Sequence, residues 1–168
     1  YFQAGSQDQS AGNLQINLKQ ILPPANDNFG DAETLSVLPT TVTLDISGAG
    51  IESGEPSGCN SMERTAWYSI TPTESTNISI DTYGSANFTN VHVYQSNGLG
   101  ISDLQLLGCA SWGGSFGFTA QPGQTYYLQA GGGPGENQFN VKRTFPPAND
   151  NFADAETIGS IPFTGTAD

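Results

Sequence analysis

One stretch of this chain occurs twice. Pro23-Pro24-Ala25-Asn26-Asp27-Asn28-Phe29-Gly30-Asp31-Ala32-Glu33-Thr34 returns 123 residues later as Pro146-Pro147-Ala148-Asn149-Asp150-Asn151-Phe152-Ala153-Asp154-Ala155-Glu156-Thr157. The match spreads outward: Gln15-Ile16-Asn17-Leu18-Lys19 aligns with Gln138-Phe139-Asn140-Val141-Lys142, and Pro39, Thr41, Thr43 and Asp45 align with Pro162, Thr164, Thr166 and Asp168. Self-similarity at a fixed period is the signature of a tandem array. On this register residues 23–145 are one complete repeat, 14–22 the last strand of a preceding one, and 146–168 the beginning of the next. Residues 1–13 read as an expression remnant and leader, Tyr1-Phe2-Gln3-Ala4-Gly5-Ser6 being a protease-site scar.

A repeat of this length can bury one hydrophobic core without metals. Sixteen acidic residues against four basic ones give a net charge of -12, which excludes phosphate-backbone binding, since that needs clustered Lys and Arg. No apolar run reaches the length of about eighteen residues that a membrane helix requires, so membrane insertion is not expected. Low charge with abundant Gly, Ser, Thr, Asn and Gln suits an extracellular β-rich module. The two cysteines, Cys59 and Cys109, fall inside the complete repeat, an even number that permits an internal disulfide in an oxidising compartment; buried free thiols are the alternative.

Apolar alternation every second residue marks strands. It appears at Leu14–Leu18 and at Val91–Tyr94, where Val91 and Val93 share one face and His92 and Tyr94 the other; Thr65–Ile70 around Trp67 reads as a core strand on its bulky residues, and Asn77–Asp81 follows it. Leu104–Cys109, Ser115–Thr119, Thr125–Gln129 and Gln138–Lys142 complete the series. Between Thr34 and Ile46, Pro39 interrupts a Thr, Val and Leu-rich run, predicting two short strands or one bent edge strand. Asn26-Asp27-Asn28 offers capping side chains for a short helical turn anchored by Phe29, after a stiff Pro-Pro linker. Ser47 to Asn60 is a loop. The fold class expected is all-β: an antiparallel β-sandwich of jelly-roll or Greek-key type with one short helical turn. Strand order is not readable from the sequence.

Four pieces, Asn26–Phe29 with Asp31–Glu33, Gly54-Glu55-Pro56, Thr65–Tyr68 and Gly123–Tyr127, resemble the bacterial pre-peptidase C-terminal (PPC) domain family, and more distantly the collagen-binding modules of collagenases. The resemblance implies a secreted or surface-displayed, non-catalytic β-sandwich, often repeated or appended to a catalytic domain; the collagenase modules bind calcium and an extracellular polymer. Where the family often carries Cys-Asn-Asp-Asp, this chain has Cys109-Ala110-Ser111-Trp112, without those carboxylates.

No catalytic constellation emerges. The single histidine, His92, lies mid-strand and reads as a sheet-surface residue, and no nucleophile elbow, zinc motif or phosphate loop is present. Calcium is the one cofactor for which ligands can be named, because it takes about six to eight hard oxygen ligands. Asp27, Asn28, Asp31, Glu52 and Glu55 are the candidates; alternatively these side chains cap the helical turn and favour its dipole. Trp112, in a Gly and Ser-rich stretch, is a candidate for stacking on a sugar face, or it packs over the disulfide or the end of the sandwich.

The function expected is a non-catalytic extracellular repeat of a bacterial secreted or cell-surface protein, serving as stalk, adhesion or assembly unit. Its partners are then other copies of the repeat, through strand exchange at the orphan strands 14–22 and 157–166, or an extracellular polysaccharide or protein matrix. The competing expectation is a substrate- or carbohydrate-binding module appended to a secreted hydrolase.

Overall fold

A computed structural model describes residues 13, 15–145 and 149–165. The expression remnant 1–12, Leu14, the second Pro146-Pro147-Ala148 linker and residues 166–168 lie outside the described residues. Among the described residues nine strands run in chain order: β1 (Glu33–Thr34), β2 (Thr40–Asp45), β3 (Thr65–Ile70), β4 (Thr76–Asp81), β5 (Thr89–Gln95), β6 (Gln105–Ser111), β7 (Ser115–Ala120), β8 (Tyr126–Gly132) and β9 (Glu136–Thr144). The helical content of the described residues is three single 3-10 turns, at Phe29–Asp31, Ile101–Asp103 and Phe152–Asp154. None is long and apolar enough to cross a membrane.

The strands form two sheets, ordered β1-β3-β8-β5-β6 and β2-β9-β4-β7. Every pairing is antiparallel except β1 with β3, which is parallel over Glu33↔Tyr68 and Thr34↔Ser69. The core between the sheets takes the inward residues of each strand: Ile78 and Ile80 from β4, Val91 and Val93 from β5, Leu128 and Ala130 from β8, Phe139 and Val141 from β9. Tyr68 meets Phe139 edge-on across the gap, with ring centroids 5.2 Å apart, a favoured arrangement for the aromatic quadrupoles. The all-β sandwich is therefore as expected, and the Thr34–Ile46 run becomes two strands, which Pro39 separates and which belong to opposite sheets.

Residues 15–22 and 157–165 are exposed and pair with no strand among the described residues; a strand is stabilised by the ladder beside it, and the sheets to which the sequence assigns these flanks are not among those residues. All six residues of β3 are buried, because its outer face is covered as fully as its inner one. Phe29 meets Trp67 edge-on at 5.2 Å and leans on Tyr127 at 4.5 Å, and the loop from Ser47 to Arg64 lies over the rest. One expectation needs correction: His92 is not on the sheet surface. It does share the outward face with Tyr94, but the same loop buries it completely.

Candidate functional site

The repeated motif is placed first, since its Asn and Asp residues were the candidate calcium ligands. Asn26 acts as a substitute strand. Its carbonyl accepts the Trp67 N–H at 2.8 Å, and its side-chain amide donates to the Trp67 carbonyl, also at 2.8 Å, so one residue satisfies both ladder groups of Trp67. β1 and the Leu35 N–H, which donates to the Ser69 carbonyl at 2.9 Å, close the edge further along. The motif therefore seals an edge that would otherwise present raw hydrogen-bonding groups.

Its carboxylates serve the backbone. Asp27 Oδ1 accepts the Gly50 N–H at 2.9 Å, Glu52 Oε1 accepts the Phe29 N–H at 3.1 Å, and Glu55 Oε1 accepts the Glu52 N–H at 2.9 Å. Glu55 Oε2 also takes bonds from Thr65 Oγ1 and Gln129 Nε2, each at 2.8 Å. Asn28 and Asp31 reach only each other, at 3.5 Å. Among the described residues no three His, Cys, Asp or Glu side chains are gathered to hold a metal ion. The donor set does not fit calcium: its oxygens converge on backbone amides rather than on a common centre. The expected capping is also absent, because Asn28 stands at the N-cap position without a side-chain bond to the backbone of the turn.

Beneath the Ser47–Arg64 loop is a buried polar network. His92 Nδ1 lies 3.3 Å from Gln129 Oε1, and Nε2 lies 2.7 Å from Asn60 Oδ1. Gln129 is fixed in orientation, because its Nε2 donates to Glu55 and its Oε1 accepts the Tyr94 hydroxyl at 3.0 Å. Each ring nitrogen thus faces an amide oxygen, and whichever carries the proton donates to it. Burial holds the imidazole below its ordinary pKa, opposed by the weaker effect of the Gln129 bond. With both nitrogens engaged and no solvent exposure, His92 has no access to a substrate. It holds the loop to the sheet instead, and Gly58 leaves no room for a side chain above its ring. The Cys59–Cys109 disulfide is formed and joins the loop to β6. Cys59 lies within the loop, six positions before β3.

The third feature is exposed. β6 and β7 belong to different sheets, and the chain crosses between them through Ser111-Trp112-Gly113-Gly114. The Gly114 N–H donates to the Ser111 carbonyl at 2.8 Å, with φ of +56° at Trp112 and +72° at Gly113. Two left-handed central residues define a type I′ turn, a geometry suited to Asn or Gly at the first of them. The turn is anchored on both sides: Trp112 N–H to the Thr89 carbonyl at 3.3 Å, Gly113 N–H to Thr82 Oγ1 at 2.8 Å. The Trp112 ring packs on Phe88 with centroids 4.2 Å apart and remains 78% exposed. On the other side Tyr83 lies 3.7 Å from where a Cβ on Gly113 would stand. Phe88 and Tyr83 are themselves exposed, so three aromatics flank one turn.

Tyr83 also lines a groove of about 470 Å3 on the outer face of the four-stranded sheet, with Thr41, Asp81, Asn140 and Lys142. Asn140 Nδ2 donates to Asp81 Oδ1 at 2.6 Å and to the Tyr83 carbonyl at 3.0 Å. Asp81, although on the outward face, is buried and pairs with Lys142 Nζ at 3.2 Å. Sequence reasoning singled out Trp112 but not Tyr83 or Phe88. What brings Tyr83 beside the turn is the pairing of Asp81 with Ser115, a register without local sequence signal.

No family model and no curated protein matches the chain. Among solved structures, it is similar to PliG of Aeromonas hydrophila, a periplasmic inhibitor of g-type lysozyme. That match has 14% identity and a TM-score of 0.44, over 67% of this chain and 96% of PliG. It is also similar to CorA of Methylomicrobium album BG8, a surface-associated copper-binding protein important in copper acquisition. There the identity is 10% and the TM-score 0.35, over 68% of this chain and 98% of CorA.

Proposed function

We propose that the chain is a non-catalytic, extracellular repeat module of the PPC-like kind, a β-sandwich unit that continues in series as a stalk or adhesion array of a bacterial secreted or surface protein. One observation carries this reading. The two copies of the motif adopt the same local structure but not the same environment. In each, an N–H to C=O bond of 3.0 Å and another of 3.3 Å close the 3-10 turn, Asp31 to Asn28 and Ala32 to Phe29 in the first, Asp154 to Asn151 and Ala155 to Phe152 in the second. Phe29 is wedged against Trp67 and Tyr127, whereas Phe152 is 97% exposed. The second motif is thus an edge seal awaiting the β3 of its own unit.

Other features agree. The disulfide suits an oxidising compartment, and the single histidine is sealed in a structural network. The test is small-angle scattering of proteins carrying one, two and three copies of residues 23–145 in series. The maximum dimension is expected to rise by a constant increment per copy. A dimension that stays flat, as the copies fold back on each other, would refute the array.

A further inference from the structure

The geometry points to a binding site for neutral polysaccharide at the Trp112 turn, with the Phe88–Trp112–Tyr83 aromatics as its platform and the adjoining groove as its hydroxyl-binding wall. It is independent of the array reading: a unit that binds no glycan would still extend in series. One structural cost falls at this end of the sandwich. Trp112 is the one non-glycine with positive φ among the described residues, in a conformation that a side chain of its size disfavours by about 1–3 kcal/mol. Its ring packs on one side against Phe88 and is otherwise in solvent, 78% exposed, so most of its apolar surface is left available for contact.

The ligand class follows from the chemistry of the walls. The axial C–H groups of a hexose form an apolar, weakly positive face that packs on the negative face of an aromatic ring. Rings on a fixed turn lose little conformational entropy on such contact. Beside them the groove offers the Tyr83 side chain, whose hydroxyl can donate and accept, and the acceptor lone pairs of Thr41 Oγ1, whose proton goes to Asn140 Oδ1 at 2.7 Å, while the Asn140 amide protons are held by Asp81 and the Tyr83 carbonyl. It holds no free cation, since Lys142 is committed to Asp81, and the chain's net charge of -12 opposes polyanions. An uncharged glycan chain is therefore favoured over uronates, sulfated polymers or nucleic acid.

The test uses the intact chain with insoluble cellulose, chitin and mannan, with heparin and fibrillar collagen as contrasting probes. Retention on at least one neutral polysaccharide is expected, unchanged between about 0.05 and 0.5 M salt because no ion pair is involved. Trp112→Ala is expected to weaken it about tenfold or more, as for an aromatic anchor at the centre of a contact, and Tyr83→Ala to weaken it less. Trp112→Asn, which suits the turn geometry, separates loss of the ring from loss of fold and is expected to match Trp112→Ala. A second readout is built in: of the two tryptophans Trp67 is buried and Trp112 exposed, so a soluble oligosaccharide of the retained polymer should shield Trp112 from acrylamide. Failure to bind any neutral polysaccharide, retention that survives Trp112→Asn, or binding to heparin or collagen alone would each overturn the assignment.

Discussion

Asn26 offers a test with its own control in the same molecule. In Asn26→Ala the backbone bond from the Trp67 N–H is kept, but the buried Trp67 carbonyl loses the 2.8 Å bond from the Asn26 amide. A buried acceptor left without its donor costs about 1–3 kcal/mol. At roughly 4 °C per kcal/mol for a domain of this size, the midpoint should fall by about 4–12 °C. Asn26→Asp should do at least as much harm at neutral pH, because it sets an anionic acceptor against the carbonyl. Asn149 occupies the same place in the second motif but is exposed, so Asn149→Ala should stay within about 0.5 kcal/mol of the parent. Urea unfolding followed by fluorescence measures all three. Equal effects at positions 26 and 149, or a loss at 26 below about 0.5 kcal/mol, would show that the edge-sealing account is wrong.

Four further outcomes follow from the same geometry. Removing the disulfide with Cys59→Ser and Cys109→Ser should cost about 4 kcal/mol by the chain-entropy relation, which depends on the 50-residue separation; a denaturant series reads it, and thiol titration of the unfolded, unreduced parent should find none. The His92 pKa is lowered in the folded state, so below its ordinary value the unfolded chain binds the proton more readily, and stability should fall as pH drops from about 7 toward 5. His92→Gln should flatten that slope in thermal melts across the same range, and an unchanged slope would remove His92 as its source. Trp112→Asn should leave the unfolding midpoint within about 0.5 kcal/mol, relief of the left-handed backbone offsetting the lost Phe88 contact. Gly108→Ala places a Cβ inside the Phe116 ring and should destabilise by about 1–3 kcal/mol through overpacking, again read by urea.

Local pattern carried most of the fold class. Alternation placed Val91 and Val93 inward and His92 and Tyr94 outward, as the structure has them, and composition with cysteine count pointed to the bridge. What alternation does not report is whether an outward face meets water. The Ser47–Arg64 loop has no regular period, yet it covers the outer face of β3, β5 and β8, and this turned a surface histidine into a buried one. The Asn and Asp of the motif were ambiguous for a related reason: oxygen ligands for calcium and acceptors for backbone N–H groups are the same atoms. Only position decides between them, and here Gly50, Glu52 and Phe29 supply the N–H groups. The aromatic trio was legible only at Trp112, because Tyr83 and Phe88 join it through strand register rather than nearness in sequence.

The sealing of β3 by Asn26 has a consequence for synthesis. The seal precedes its strand in the chain, so when β3 emerges from the ribosome the residues that close its edge have already been made. A neighbouring unit's strand would then meet an edge already occupied, whichever order the units are finished in. In the array proposed above, where each unit would be a ready template for pairing with the next, placing the guard ahead of the vulnerable strand would let copies be made in series without trading strands.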